Sequence, residues 1–239
     1  MQVVSTPAFG SGSKLGMARD RRFFYGLLHR RVFALPTWRG WLLVAVLAGA
    51  VGFAGVRTVH VFLAPTHSVP GGLLVVEGWL PDYCLEEAVA ESRRNHYDAL
   101  LVTGGVIGPI TPGPRFTYAD LGATKLEKLG ATTPAPQAVP SQDAYRDRTY
   151  ISAITLRDWL NARHWHPAKI NLVSIGPHSR RSRLLFEEAL GPDVEVGIIA
   201  AKDLRYDERH WWRSSEGFRS VVDELVAYVY ARIVFIPEK

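Results

Sequence analysis

The sequence predicts an α/β fold: a mainly parallel sheet between helices, in a three-layer αβα arrangement, preceded by one N-terminal transmembrane helix. Two observations predict it. From residue 71 onward, short apolar runs alternate with stretches of helical periodicity. Such alternation implies βαβ units, whose strands are buried on both faces and read as continuous apolar runs. Ahead of this region, Trp41 to Val56 (WLLVAVLAGAVGFAGV) runs without a charge, and apolar character resumes after Arg57 as far as Ala64. A spanning helix needs roughly 20 apolar residues. Trp41 to Ala64 meets that length if Arg57 and His60 lie near one face and snorkel.

Charge marks the organisation of the chain. Residues 1–39 hold seven Lys and Arg and one acid, Asp20, leaving 21 basic and 22 acidic residues for the rest. A nucleic-acid binder would spread basic charge over its folded domain, so no nucleic-acid partner is expected. A basic flank before an apolar span belongs in the cytoplasm, and Trp38 and Trp41 suit the near interface. The N-terminus is therefore expected inside and the C-terminal domain outside. The small-residue stretch Ala48-Gly49-Ala50 comes too early in the apolar run for a signal-peptide cleavage site, which favours an uncleaved anchor. The expected divisions are a tail over 1–39, an anchor over 40–64, a turn-rich linker over 65–72 (PTHSVPGG) and an α/β domain over 73–236.

Within the domain, LLVVEGW (Leu73 to Trp79) reads as a buried parallel strand. A helix follows over Asp82 to His96, with Asp82 as N-cap after Pro81. ALLVTGG (Ala99 to Gly105) is the second strand. A Gly/Pro-rich loop over 106–116 leads to a helix from about Thr117 to Gly130. Gln137 to Val139 is a short third strand, and Asp147 to Arg163 a helix. KINLVSIG (Lys169 to Gly176) is the fourth strand, followed by a helix that opens at GPHSRRS. VEVGIIA (Val194 to Ala200) is the last strand, and Ser215 to Ile233 the last helix. The single cysteine, Cys84, excludes an intrachain disulfide and any cysteine-based metal cluster. It reads as a small buried residue at a helix start.

Open parallel sheets bind ligands beyond the carboxyl ends of their strands. That rule selects Glu77, Gly78 and Trp79 after the first strand, and Thr103, Gly104 and Gly105 after the second. It selects Ser141 and Asp143 after the third, and Gly176, Pro177 and His178 after the fourth. The fourth position poses a puzzle. Arg180, Arg181 and Arg183 occupy the first turn of a helix, where backbone N–H groups already carry partial positive charge and cations are disfavoured. A helix N-terminus with arginines makes a phosphate or carboxylate site; alternatively the arginines are solvated or paired, Arg183 with Glu187 at i,i+4. Arg181 and Arg183 cannot share a face.

Three stretches, TGG (Thr103 to Gly105), DRTYISA (Asp147 to Ala153) and GPHSRRS (Gly176 to Ser182), resemble the YdcF/SanA/ElyC-like family in order and spacing. The resemblance covers roughly residues 71–235. It implies a Rossmann-like domain, often behind a membrane anchor, at the bacterial inner membrane. It also implies a role in the envelope, in barrier function and peptidoglycan or lipid-carrier metabolism. Binding of S-adenosylmethionine is a property of some members. The chain departs from the pattern in ending its first strand Glu77-Gly78-Trp79, and in opening the helix after TGG, where an acid is usual, with Tyr118-Ala119-Asp120, which leaves open whether Asp120 substitutes.

The candidate catalytic residues are Glu77 and His178. Glu77 ends a buried strand, where a carboxylate needs a partner, Arg148 being one; His178 titrates near neutrality or simply bonds the backbone. The candidate ligand-binding residues are Thr103, Gly104, Gly105, Arg148, Thr149, His178, Arg180 and Arg181. No metal is expected, since His164, His166 and His210 lack ligand spacing, and no cofactor is specified. No Gly-x-Ser-x-Gly elbow, Walker A sequence or Gly-x-Gly-x-x-Gly fingerprint is present. The partners expected are the membrane and an anionic small molecule or lipid-linked ligand. Three functions stay open: an envelope enzyme acting on a phosphorylated lipid carrier or cell-wall precursor, a non-catalytic module binding a nucleotide or S-adenosylmethionine, and an interaction protein with a vestigial site.

Overall fold

The computed structural model of the chain describes residues 36–108, 115–142 and 144–236, and two two-residue strands, β1 (Arg22–Phe23) and β2 (Leu28–His29), paired antiparallel. Most of the basic tail, part of the loop before Thr117 and Asp143 lie outside the described residues. The chain divides into two compact units, Met1–Gly49 and Ala50–Lys239.

Helix α1 runs Trp38–Leu63 as one continuous element, long and apolar enough to cross a membrane. The α/β domain then follows as β3 (Leu73–Glu77), α2 (Asp82–Arg94), β4 (Ala99–Gly104), α3 (Tyr118–Lys128), β5 (Pro136–Pro140), α4 (Arg148–Asn161), β6 (Lys169–Ile175), α5 (His178–Leu190), β7 (Glu195–Ala201), a 3-10 segment (Glu208–Arg213) and α6 (Ser215–Ile233). Five strands form one all-parallel sheet in the order β5-β4-β3-β6-β7.

The buried residues explain the layers. β3 is central and buried at every position. Its side chains alternate between faces, as strand geometry demands. Leu74 and Val76 pack with Leu80, Leu85 and Leu126 beneath α2 and α3. Leu73 and Val75 pack with Tyr150, Leu156, Leu185 and Phe186 beneath α4 and α5. A third cluster, Leu63, Tyr206, Trp211 and Val221, joins the end of α1 to the 3-10 segment and α6.

Chain direction sets the site. After β3 the chain builds outward through β4 and β5, then returns to lay β6 on the other side of β3. The carboxyl ends of β3 and β6 therefore diverge at a topological switch point, where α/β sheets open a crevice. Backbone proximity narrows the crevice floor. A Cβ on Gly78 would lie 2.1 Å from the Tyr118 carbonyl oxygen, and one on Gly122 would lie 2.7 Å from Gly78 Cα. Only glycine lets α3 sit this close to the exit of β3.

Two local features differ from the sequence reading. Pro81, not Asp82, is the N-cap of α2, and no side chain caps it. The segment expected as a plain linker is stitched to the sheet: His67 bridges Ile198, and the Asn171 side chain bonds both the N–H and the carbonyl of Val69, each at 2.8 Å. Asn171 faces Gly197, whose missing side chain makes room for that amide.

Candidate functional site

The switch-point crevice opens into a cavity of about 790 Å³. Four charged side chains form one network at its floor. Glu77, the last residue of β3, is 3% exposed. His178, the first residue of α5, places Nδ1 2.7 Å from Glu224 Oε1 and Nε2 3.7 Å from Glu77 Oε1. Arg181, one turn further along α5, donates from Nε and Nη2 to the two Glu224 oxygens at 2.8 and 3.0 Å. Ser182 Oγ donates to Glu77 at 3.2 Å. Trp79 covers the imidazole edge to face, with ring centroids 5.1 Å apart.

Electrostatics follow from this packing. Burial opposes a charge on His178, but the flanking Glu77 and Glu224 carboxylates overcome it and raise the imidazole from 6.5 to about 9. Burial likewise opposes a charged Glu224, but hydrogen bonds from His178 and Arg181 hold it down at about 2. Glu77 is also lowered against burial, chiefly by His178. At neutral pH the floor thus carries two carboxylates, one imidazolium and one guanidinium, with no net charge.

An imidazolium has two N–H donors. Nδ1–H points to Glu224. Nε2–H is buried and has no hydrogen-bond partner, since 3.7 Å to Glu77 exceeds bonding distance. Thr103 Oγ1, at the end of β4, is likewise buried and unpartnered, and both residues line the cavity. An unpaired buried donor costs on the order of 1–3 kcal/mol, which a ligand acceptor would recover.

The far wall is the start of α4. Asp147, its N-cap, sits in the left-handed region at φ 54° and supplies no side-chain cap. Arg148 and Thr149 follow and face the cavity. The first-turn N–H groups of a helix favour anions. Strain of this kind at a non-glycine residue costs on the order of 1–3 kcal/mol and clusters at functional sites. Ser141 completes this side, its Oγ 3.1 Å from Ser152 Oγ.

The predicted residues divide accordingly. Glu77, Thr103, Gly104, Gly105, Arg148, Thr149, His178 and Arg181 all border the one cavity. Gly104 also serves packing, since its Cβ would meet Tyr118 Cβ at 2.7 Å. Arg180 is not brought there. It turns to α1, donating to the Phe62 carbonyl and stacking over the Phe62 ring at 4.0 Å. Glu77 takes its charge partner from His178 instead of Arg148. Asp120 closes a capping box with Thr117 at the start of α3. With α5 beginning at His178, Arg180 and Arg181 lie in its first turn and Arg183, contrary to the sequence reading, in the second. Each has a different compensation: Phe62 for Arg180, Glu224 for Arg181, and Glu187, at 2.8 Å, for Arg183.

Glu224 is the residue the sequence reading missed. Its signal was a pair of acids, Asp223 and Glu224, between the apolar runs of α6 (VVDELVAYVY). Trp211 and Trp212 pack away from the cavity against the end of α1, Trp211 Nε1 donating to the Val56 carbonyl at 3.0 Å. Burial pushes the Cys84 thiol up to about 12, which removes it as a nucleophile. Among the described residues no group of three or more His, Cys, Asp or Glu is arranged to hold a metal ion.

Comparison with known protein families, curated proteins and solved structures finds no match for this chain.

Proposed function

We propose that the switch-point cavity binds an anionic, phosphate-bearing ligand of the bacterial envelope and that His178 delivers a proton to it. In this reading the chain is a YdcF-like protein anchored by α1 in the inner membrane, with its tail in the cytoplasm and its α/β domain outside. It acts on a phosphorylated lipid carrier or cell-wall precursor. The observation that carries the reading is the pair of buried atoms without a hydrogen-bond partner, His178 Nε2 and Thr103 Oγ1, on two residues that line one cavity together with the uncapped start of α4. Phosphate oxygens are the acceptors such a cluster suits, and Arg148 adds a cation with no acidic partner among the described residues.

The roles follow from geometry. Glu224 fixes the imidazole orientation through Nδ1, leaving Nε2–H, on a residue that lines the cavity, as the general acid. Glu77, 3.7 Å away, keeps that ring charged and so favours its reprotonation from solvent once the ligand has been released. Arg181 neutralises Glu224 and so positions His178; it does not need to touch the ligand.

A titration of the full chain in detergent micelles with inorganic phosphate tests this. Wild type should bind. Arg148→Ala and Thr103→Val should each weaken binding about tenfold or more, the effect of losing a hydrogen bond to a charged group. Because Thr103 Oγ1 has no partner, Thr103→Val should not lower stability. Binding should fade above pH 9 as His178 loses its proton. Affinity for S-adenosylmethionine without affinity for phosphate would favour the non-catalytic module; phosphate binding indifferent to both substitutions would remove this site.

A further inference from the structure

A second cavity, of about 740 Å³, lies at the carboxyl ends of β6 and β7, beside the end of α1. Its surroundings are defined by where the helix stops being bare. Every side chain from Trp41 to Thr58 is exposed, and His60 is buried against Tyr206, with Nε2 3.1 Å from the phenol oxygen. From Trp38 to Arg57 the helix rises about 30 Å at 1.5 Å per residue, which is about the thickness of a bilayer hydrocarbon core. If α1 spans, Arg57 marks the boundary on the domain side.

The residues at that level are those a membrane interface selects. Trp211 bonds the Val56 carbonyl, and the Arg57 guanidinium lies 5.1 Å from the Phe53 ring and 5.4 Å from the Trp212 ring. Leu204 and Phe218 flank the 3-10 segment and are exposed. Tryptophan and arginine concentrate where hydrocarbon meets headgroups. The cavity at this level is lined by Arg57, Lys202 and Arg209, with Glu87 and Glu208 as its acids. None of the three cations has a carboxylate within ion-pair distance among the described residues.

We propose that the 3-10 segment Glu208–Arg213 and the end of α1 form a membrane-contact foot, and that the cavity lined by Arg57, Lys202 and Arg209 takes the headgroup of an anionic phospholipid. The proposal rests on α1 being a membrane anchor, and it is independent of what the switch-point cavity binds. The foot holds the domain against the bilayer. A tether of one helix alone would leave its orientation free.

Hydrogen exchange on the full chain in nanodiscs tests it. Amides of residues 204–218 should exchange more slowly in phosphatidylglycerol discs than in phosphatidylcholine discs. Lys202→Gln with Arg209→Gln, both exposed positions, should remove about 25-fold of that protection, at about fivefold per cation near an anionic leaflet. Equal exchange in both discs overturns the foot. Protection in phosphatidylcholine on adding inorganic phosphate makes the cavity a free-phosphate site and overturns the lipid assignment. A chain that fails to enter the discs refutes the anchor, and the foot with it; one that enters but shows no lipid dependence refutes the foot alone.

Discussion

Replacing Glu224 by glutamine should destabilise the domain in a pH-dependent manner. The magnitude follows from the floor of the cavity. His178 rises from 6.5 to about 9 in the fold, against burial. That corresponds to roughly 3 kcal/mol of preference for the charged ring, at about 1.4 kcal/mol per tenfold change in proton affinity. The fall of Glu224 from 4.5 to about 2 includes the same His178 contact seen from the carboxylate, with Arg181 added, while much of the His178 rise comes from Glu77. The two figures are therefore not additive. Both side chains are less than a fifth exposed, so solvent screening removes little of the interaction.

The sign is fixed by linkage. A group whose pKa is raised on folding adds stability in full below its unfolded value. For His178 that stability is complete below pH 6.5, declines through the interval and is gone above about 9. The Glu224 contribution is present above pH 4.5 and lost as pH falls through about 2. Glutamine keeps an amide oxygen for Nδ1–H, but leaves Arg181 without a counter-charge. Glu77 still supports the imidazolium from 3.7 Å. At pH 6 the substitution should therefore cost about 3 kcal/mol, the lower end for breaking a buried pair. At pH 10, with His178 neutral in both proteins, only the Arg181 share remains and the cost should be smaller. Urea unfolding of the full chain in micelles at both pH values measures the difference, and NMR titration of the imidazole C–H reads the pKa directly. Equal destabilisation at pH 6 and pH 10, or a wild-type imidazole titrating near 6.5, would refute the network.

Two further substitutions probe how the scaffold holds the site. Asn171→Ala removes the side-chain bonds to the Val69 N–H, the Val69 carbonyl and the Gly71 carbonyl from a residue with no exposed surface. It should cost about 2–4 kcal/mol, at about 1 kcal/mol per bond plus the buried groups left unpaired, and hydrogen exchange should show His67 and Val69 released from the β7 edge. Gly122→Ala places a methyl 2.7 Å from Gly78 Cα, where backbone cannot yield. A loss of about 1–3 kcal/mol is expected, with a changed Trp79 fluorescence or ring-current effect on His178, since the loop that carries Trp79 must move; an unchanged spectrum would mean α3 absorbs the methyl alone.

Much of the fold was legible because its signals are local. LLVVE, ALLVTG and KINLVSI read as buried strands since a central parallel strand needs apolar side chains on both faces. The α6 boundaries were legible because an apolar stripe and a Ser214 cap coincide. β5, with its prolines and half-exposed pattern, was read two residues short for want of that apolar signature. The site was legible only as a set of edges. The rule that ligands gather beyond strand ends picked Glu77, Thr103 and His178 separately. Their meeting depends on β6 pairing with β3, a long-range choice that no window of sequence contains. Glu224 was out of reach for the same reason: it lies 46 residues from His178 on a helix whose inward face is set by packing on α5.

The arginines of α5 show where local rules stop. Helix electrostatics say that cations near a helix start need compensation, and all three arginines receive it, yet the rule cannot say from what. One is answered within its own helix by Glu187, one by a carboxylate on α6, and one by a carbonyl and ring of α1. Only the second borders the cavity. Its partner also holds Nδ1 of the imidazole, so the cation that looked like a ligand clamp instead helps to leave the other histidine nitrogen buried, ion-paired with Glu77 and without a hydrogen bond. In the proposed reading, what the cavity offers an incoming anion is then set less by the number of arginines at its rim than by that N–H and the Thr103 hydroxyl, on two residues of the same lining.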